Sequence, residues 1–133
     1  MSDILVNKLT TIERCLERIR EDYDGEFRSN FTKQDAIVLN IERACQACMD
    51  MAAHAVRVRR LGPPQHSRDL FTLLEENGLL PSDLADPLRA MVGFRNIAVH
   101  NYRALNLDVV ERIIAVHLED FLAFGRLMVA EGE

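Results

Sequence analysis

The fold is decided by the stretch Thr32-Lys-Gln-Asp-Ala-Ile37-Val-Leu-Asn-Ile41-Glu-Arg-Ala44-Cys-Gln-Ala-Cys48-Met-Asp-Met51-Ala-Ala-His-Ala55-Val-Arg-Val58-Arg-Arg-Leu61-Gly-Pro-Pro64. Ile37, Ile41, Ala44, Cys48, Met51, Ala55 and Val58 alternate steps of four and three, which lines one face of an α-helix for about six turns. Thr32 reads as its N-cap. Leu61-Gly-Pro-Pro ends it, because proline has no N–H to donate and its ring clashes with the preceding turn. No segment of the chain alternates with the period of two that a half-buried strand needs.

The same period extends to both sides. Leu5, Leu9, Ile12, Leu16 and Ile19 predict a first helix starting near Ser2-Asp3 and broken by Asp22-Tyr-Asp-Gly-Glu26. Ser67 reads as the cap of a short helix over Asp69 to Asn77 that stops at Gly78. A fourth helix begins around Pro81-Ser82, passes Pro87 and runs through Leu88, Met91, Val92 and Phe94 to Val99 or His100. Asn106 is placed to cap the last helix, with Leu105 and Val110 as a hydrophobic staple. The expected fold is all-α: an antiparallel helical bundle of about five helices in one domain, residues 1–133.

Composition supports this and excludes other classes. With 6 Gly and 4 Pro among 133 residues, 48% of them hydrophobic, the chain is too poor in turn formers for a β-sandwich. It has no apolar run of the roughly 18 residues that a membrane span requires. Met1-Ser-Asp-Ile-Leu-Val6 lacks the basic and apolar regions of a signal peptide, so a cytoplasmic protein with reduced cysteines and no membrane partner is expected. Cys45-Gln-Ala-Cys48 lies within a helical pattern, and Cys48 on its core positions. That context suits a small buried hydrophobe better than a zinc or redox site, so no metal is expected. Nor is any cofactor, since no glycine-rich phosphate loop appears.

Net charge is −5, which argues against coating nucleic acid by bulk electrostatics. The charge is uneven, however. Residues 51–68 contain Arg57, Arg59, Arg60, Arg68, His54 and His66 without an acid, and residues 88–107 contain Arg89, Arg95 and Arg103, again without one. If the fold brings the two segments together, they make a local anion site. Asn40, Asp50, His54 and Arg57 form a polar row beside the apolar face of the second helix, either a solvated face or one wall of a cleft. On the last helix Ile114, Leu118, Phe121, Gly125 and Met128 make one apolar row, and Ile113, Val116, Ala123 and Leu127 make another. Two rows exceed what a monomer's surface helix needs and point to a buried helix or a partner subunit, with a homodimer expected.

The unusual segment is Met91-Val-Gly-Phe-Arg95-Asn96-Ile-Ala-Val-His100-Asn-Tyr102, an apolar helical run interrupted by a guanidinium, an amide and an imidazole. At 100° per residue Arg95, Asn96 and His100 fall at roughly 0°, 100° and 140°, along one edge, leaving Phe94, Ile97 and Ala98 to pack. Burying an unpaired guanidinium is costly, so Arg95 needs either an anionic partner or an anionic ligand, and no acid lies within six residues of it. Its fork matches phosphate oxygens, and histidine is the side chain suited to moving a proton near neutrality. Such a pair fits metal-independent RNA cleavage: His100 takes the proton of a ribose 2′-hydroxyl attacking the adjacent phosphorus, and Arg95 neutralises the phosphorane oxygens. A structural reading stands beside it, with Arg95 bridging to a carboxylate on another helix and His100 capping a helix C-terminus.

Arg95-Asn96-x-x-x-His100-x-Tyr102 resembles the R-x(4–6)-H-x-Y motif of HEPN-domain toxins. With its length, helix order and one long helix after the motif, the chain resembles the HepT type of the HEPN/MNT toxin–antitoxin family. The resemblance implies a HEPN-like homodimer in which two motifs face one cleft and act as a metal-independent endoribonuclease. Arg95 and His100 are then the catalytic pair and Asn96 and Tyr102 supporting residues. Beside what the resemblance implies, His54, Arg57 and Arg103 of the acid-free segments are candidate RNA contacts. The resemblance also implies a partner, an MNT-type nucleotidyltransferase antitoxin that silences the toxin by transferring AMP to Tyr102. The alternative is a non-catalytic helical dimer that binds a nucleotide, or that docks a nucleotidyltransferase and presents substrate to it.

Overall fold

α2, Phe31–Val58, is the helix on which the others pack, in a computed structural model that describes residues 3–131. α1, Asp3–Asp22, lies along it, and α3, Ser67–Glu76, and α4, Ser82–His100, pack on it and on each other. Leu107–Arg112, a π-helical turn Ile113–His117, and Leu118–Glu131 run on as one rod, α5, which packs against α1, α2 and α4. Single 3-10 turns at Phe27–Ser29 and Tyr102–Ala104 complete the path. The chain is thus an all-α bundle, with no strand among the described residues. No helix of the described residues is long and apolar enough to cross a membrane.

The 4-and-3 patterns mark the core well. Leu5, Ile12, Leu16 and Ile19 of α1 and Ile37, Ile41, Ala44, Cys48 and Met51 of α2 are buried together, with Leu9 half-buried beside them. The α2 pattern runs out at its end, where Val58 is 52% exposed while Val56 takes the buried position of the last turn. All three cysteines are free and buried; Cys45 and Cys48 reach the backbone carbonyls of Met91 and Phe121, and burial pushes both thiols up. They are packing groups.

Helix ends differ from the sequence reading in two places. Asn30, not Thr32, caps α2: its side chain accepts from the Lys33 N–H at 3.1 Å, and Thr32 already lies inside the helix. α3 starts at Ser67, two residues before the expected Asp69, with His66 rather than Ser67 at the cap, because the Asp69 carboxylate turns back to accept from the Gln65 and His66 N–H groups. The expected start of α1 at Ser2 lies outside the described residues. Gly78, at φ 73°, ends α3 as expected, letting the Leu79 N–H return to the Leu74 carbonyl at 2.9 Å. Asn106 caps α5, accepting from the Asp108 N–H, and Leu105 and Val110 join the core.

The two apolar rows of α5 are not the two faces that an unbroken helix would give. Val110, Ile113, Leu118, Phe121, Phe124, Gly125 and Met128 are all buried. The step of five between Ile113 and Leu118 would swing the face by about 140° in an α-helix, and the wider π turn absorbs it. Ile113 therefore belongs to the core, and only Val116 and Ala123 of the second row are exposed.

Candidate active site at the end of the fourth helix

α4 passes Pro87 and reaches His100, its last residue, so the motif straddles a helix end. Phe94 and Ala98 face the core as expected, whereas Ile97 is 44% exposed. Arg95 is half-buried against α2, where its Nη2 donates to the Gln46 side-chain oxygen at 3.0 Å. Gln46 in turn donates to Asp50 at 2.8 Å, and Lys8 of α1 pairs with the other Asp50 oxygen at 2.9 Å. The carboxylate is thus neutralised by a lysine, and Arg95 meets only an amide.

That arrangement bears on the two roles open to Arg95. A structural arginine would sit on a carboxylate, as Arg89 does on Glu75 at 2.7 Å and on Asp86. Among the described residues Arg95 has no such partner, nor do Arg57, Arg59, Arg60, Arg68 and Arg103. Arg95 is thus oriented by an amide without being neutralised by a carboxylate.

His100 is exposed and forms no hydrogen bond or ion pair among the described residues. Asn96, also exposed, borders a hollow of about 570 Å³ together with Val92 and Gln65, His66, Ser67, Arg68 and Asp69 at the start of α3. The expected single edge of Arg95, Asn96 and His100 is therefore divided. Arg95 leans on α2 while Asn96 faces α3, and nothing in one chain bonds Arg95 to His100.

Tyr102 follows in the 3-10 turn, 43% exposed, with its hydroxyl donating to Asp35 of α2 at 2.6 Å. Partial burial, the Asp35 bond and the nearby Glu42 charge all push its ionisation well above the usual tyrosine range. Because the folded value is raised, this contact favours the fold below the ordinary tyrosine pKa of about 10, and that contribution is lost as pH rises through the folded value. Asp35→Asn is expected to bring the Tyr102 titration down, since it removes the carboxylate and leaves only burial and Glu42. The check is tyrosinate absorbance in a Tyr23→Phe background, and an unmoved curve would show that Asp35 contributes nothing.

Of the further residues, His54 and Arg57 lie on α2 in line with Gln46 and Asp50, at steps of four, four and three. The Arg57 guanidinium meets His54 Nδ1 at 3.2 Å. Asn40 leaves that row: it is buried and donates to the Ala36 carbonyl at 2.9 Å. Arg103 lines a separate hollow of about 300 Å³ with Phe31, Asp35 and Tyr102. Gln46 and Asp35 are the site residues that the sequence reading passed over. Their signal was weak, since a glutamine between two cysteines and an acid near a helix start are ordinary on a solvated face.

Comparison with known proteins agrees across the chain. The family described as Ribonuclease HepT-like matches residues 9–128. The mRNA nuclease HepT of Shewanella oneidensis is 51% identical over 133 residues, spanning 98% of this chain and 100% of that protein. The solved structure of the tri-AMPylated Shewanella oneidensis HEPN toxin in complex with MNT antitoxin matches with a TM-score of 0.94 at 49% identity, covering 98% of this chain and 99% of that one. A toxin–antitoxin crystal structure with AMP-PNP matches at 0.92 and 48% identity, covering 96% and 99%.

Proposed function

Since this chain belongs to the HepT-like ribonuclease family, we propose that it is the toxin of a HEPN/MNT toxin–antitoxin pair: a cytoplasmic endoribonuclease that needs no metal and works as a homodimer of single HEPN domains spanning 1–133. The observation that carries the reading is Arg95, aimed by Gln46 and left without a carboxylate, one turn and a half before an unencumbered His100. In the reaction His100 accepts the 2′-hydroxyl proton as that oxygen attacks phosphorus. Arg95 offsets the charge on the non-bridging oxygens, and the 5′-oxygen leaves with a proton from the partner subunit's His100. Asn96 is a polar helper beside them. A 2′,3′-cyclic phosphate remains on one fragment and a 5′-hydroxyl on the other.

Arg95 and His100 are not bonded to each other within one chain, and a second copy brings a second Arg95–His100 pair to the site. Leu39 and Val99, at 43% and 46% exposed, offer apolar surface beside the motif for that contact. His54, Arg57 and Arg103 extend the positive surface toward RNA. The antitoxin is an MNT-type nucleotidyltransferase that moves AMP from ATP to the Tyr102 oxygen, releasing pyrophosphate. The added phosphate brings negative charge and bulk to the mouth of a site that binds phosphate, and RNA is repelled.

The test uses the purified protein, an RNA and the DNA of the same sequence, all in EDTA. Cleavage of RNA alone, with cyclic phosphate ends, is expected. Cleavage that appears only on addition of a divalent metal would overturn the mechanism.

A further inference from the structure

The fold brings the two acid-free segments together at one point, Arg68 of α3 against Gly93 of α4. A Cβ placed on Gly93 would lie 2.7 Å from Arg68 Nη2. Glycine inside a helix destabilises it by about 1 kcal/mol relative to alanine. At position 93 the backbone is ordinary helix, and the missing methyl is what lets the guanidinium lie on α4, one turn before Asn96 and Ile97. Arg68 is exposed, has no carboxylate partner among the described residues, and borders the 570 Å³ hollow that Asn96 also lines. The acid in that hollow, Asp69, accepts two backbone N–H groups on one oxygen, Oδ2, and is held there as the cap of α3.

We propose that this hollow is a second phosphate subsite, in which Arg68, docked on Gly93, holds a phosphodiester of the RNA adjacent to the one being cut. The proposal rests on the ribonuclease reading for its ligand, and three features of the structure support it. The hollow is open and wide enough for a nucleotide's phosphate and sugar. Its cation is unpaired and pre-positioned. It also shares Asn96 with the motif, so a strand whose scissile phosphate lies at Arg95 and His100 continues past Asn96 into it. Arg68 thus contributes to substrate affinity and to placing the strand, and takes no part in proton transfer.

The test measures binding of a short single-stranded RNA to the His100→Ala protein, which removes cleavage from the readout. Arg68→Ala is expected to raise Kd roughly tenfold, the value of one charge-assisted contact, and to flatten log K against log salt by about 0.7. Gly93→Ala is expected to do the same by evicting the guanidinium, with the helix no less stable since the side chain's far end is free to move. Combined, the two changes should cost no more than Arg68→Ala alone. In proteins that retain His100, the loss should fall on KM and spare kcat. Unchanged affinity and salt slope in Arg68→Ala would overturn the subsite, as would a Gly93→Ala effect that persists without Arg68. Arg68-dependent binding of AMP or inorganic phosphate with none of RNA would also overturn it. Should wild-type protein fail to cut RNA while Arg68-dependent RNA binding remains, the nuclease reading fails and the subsite stands.

Discussion

His100→Ala is expected to lower RNA cleavage by about 10²–10⁴-fold, the usual worth of a positioned general base or acid, and to abolish growth inhibition. The fold should be untouched, because the imidazole is exposed and bonds to nothing among the described residues. Arg95→Ala should cost about 10²–10³-fold, as for loss of one donor to a developing oxyanion. It too should spare the fold, since Gln46 keeps its bond to Asp50. Arg95→Lys keeps the charge and loses the fork, and should fall between the two. The measurement is cleavage rate on one RNA, beside thermal melts and oligomeric state. Toxicity that persists in both alanine variants would remove these residues from the chemistry.

The second large effect is expected at Tyr102. Incubation with an MNT-type nucleotidyltransferase antitoxin and ATP should raise the mass of the protein by AMP increments, and Tyr102→Phe should gain none and escape neutralisation in cells. The hydroxyl it loses is the exposed one bonded to Asp35. Tyr23 is the internal control: its hydroxyl donates to Glu111 at 2.6 Å and its ring packs on Phe27. AMP found at Tyr23, or incorporation undiminished in Tyr102→Phe, would show that the acceptor is elsewhere.

What the chain revealed in advance was periodic or local. Helix number, the core faces of α1 and α2, the Gly78 stop and the Asn106 cap all follow from spacing within a few turns, where propensity and capping act. The motif was legible for the same reason, as polar residues interrupting an apolar run. What remained hidden depended on contacts between distant residues. Nothing near Arg95 says that its partner is an amide 49 positions away. Gly93 reads as a weak spot in a helix until Arg68 lies on it. The two rows on the last helix were drawn at a fixed period, whereas the rod changes pitch partway along.

That change of pitch has a consequence for length. The turn at Ile113–His117 holds one residue more than a regular coil would, and the excess ends there, so Phe121, Phe124 and Met128 keep their inward aim irrespective of what precedes them. Each half of the rod is seated on the bundle by its own contacts. A sister protein whose final rod is uniformly wound would therefore correspond to this one across a single skipped position, with every later side chain in its accustomed place.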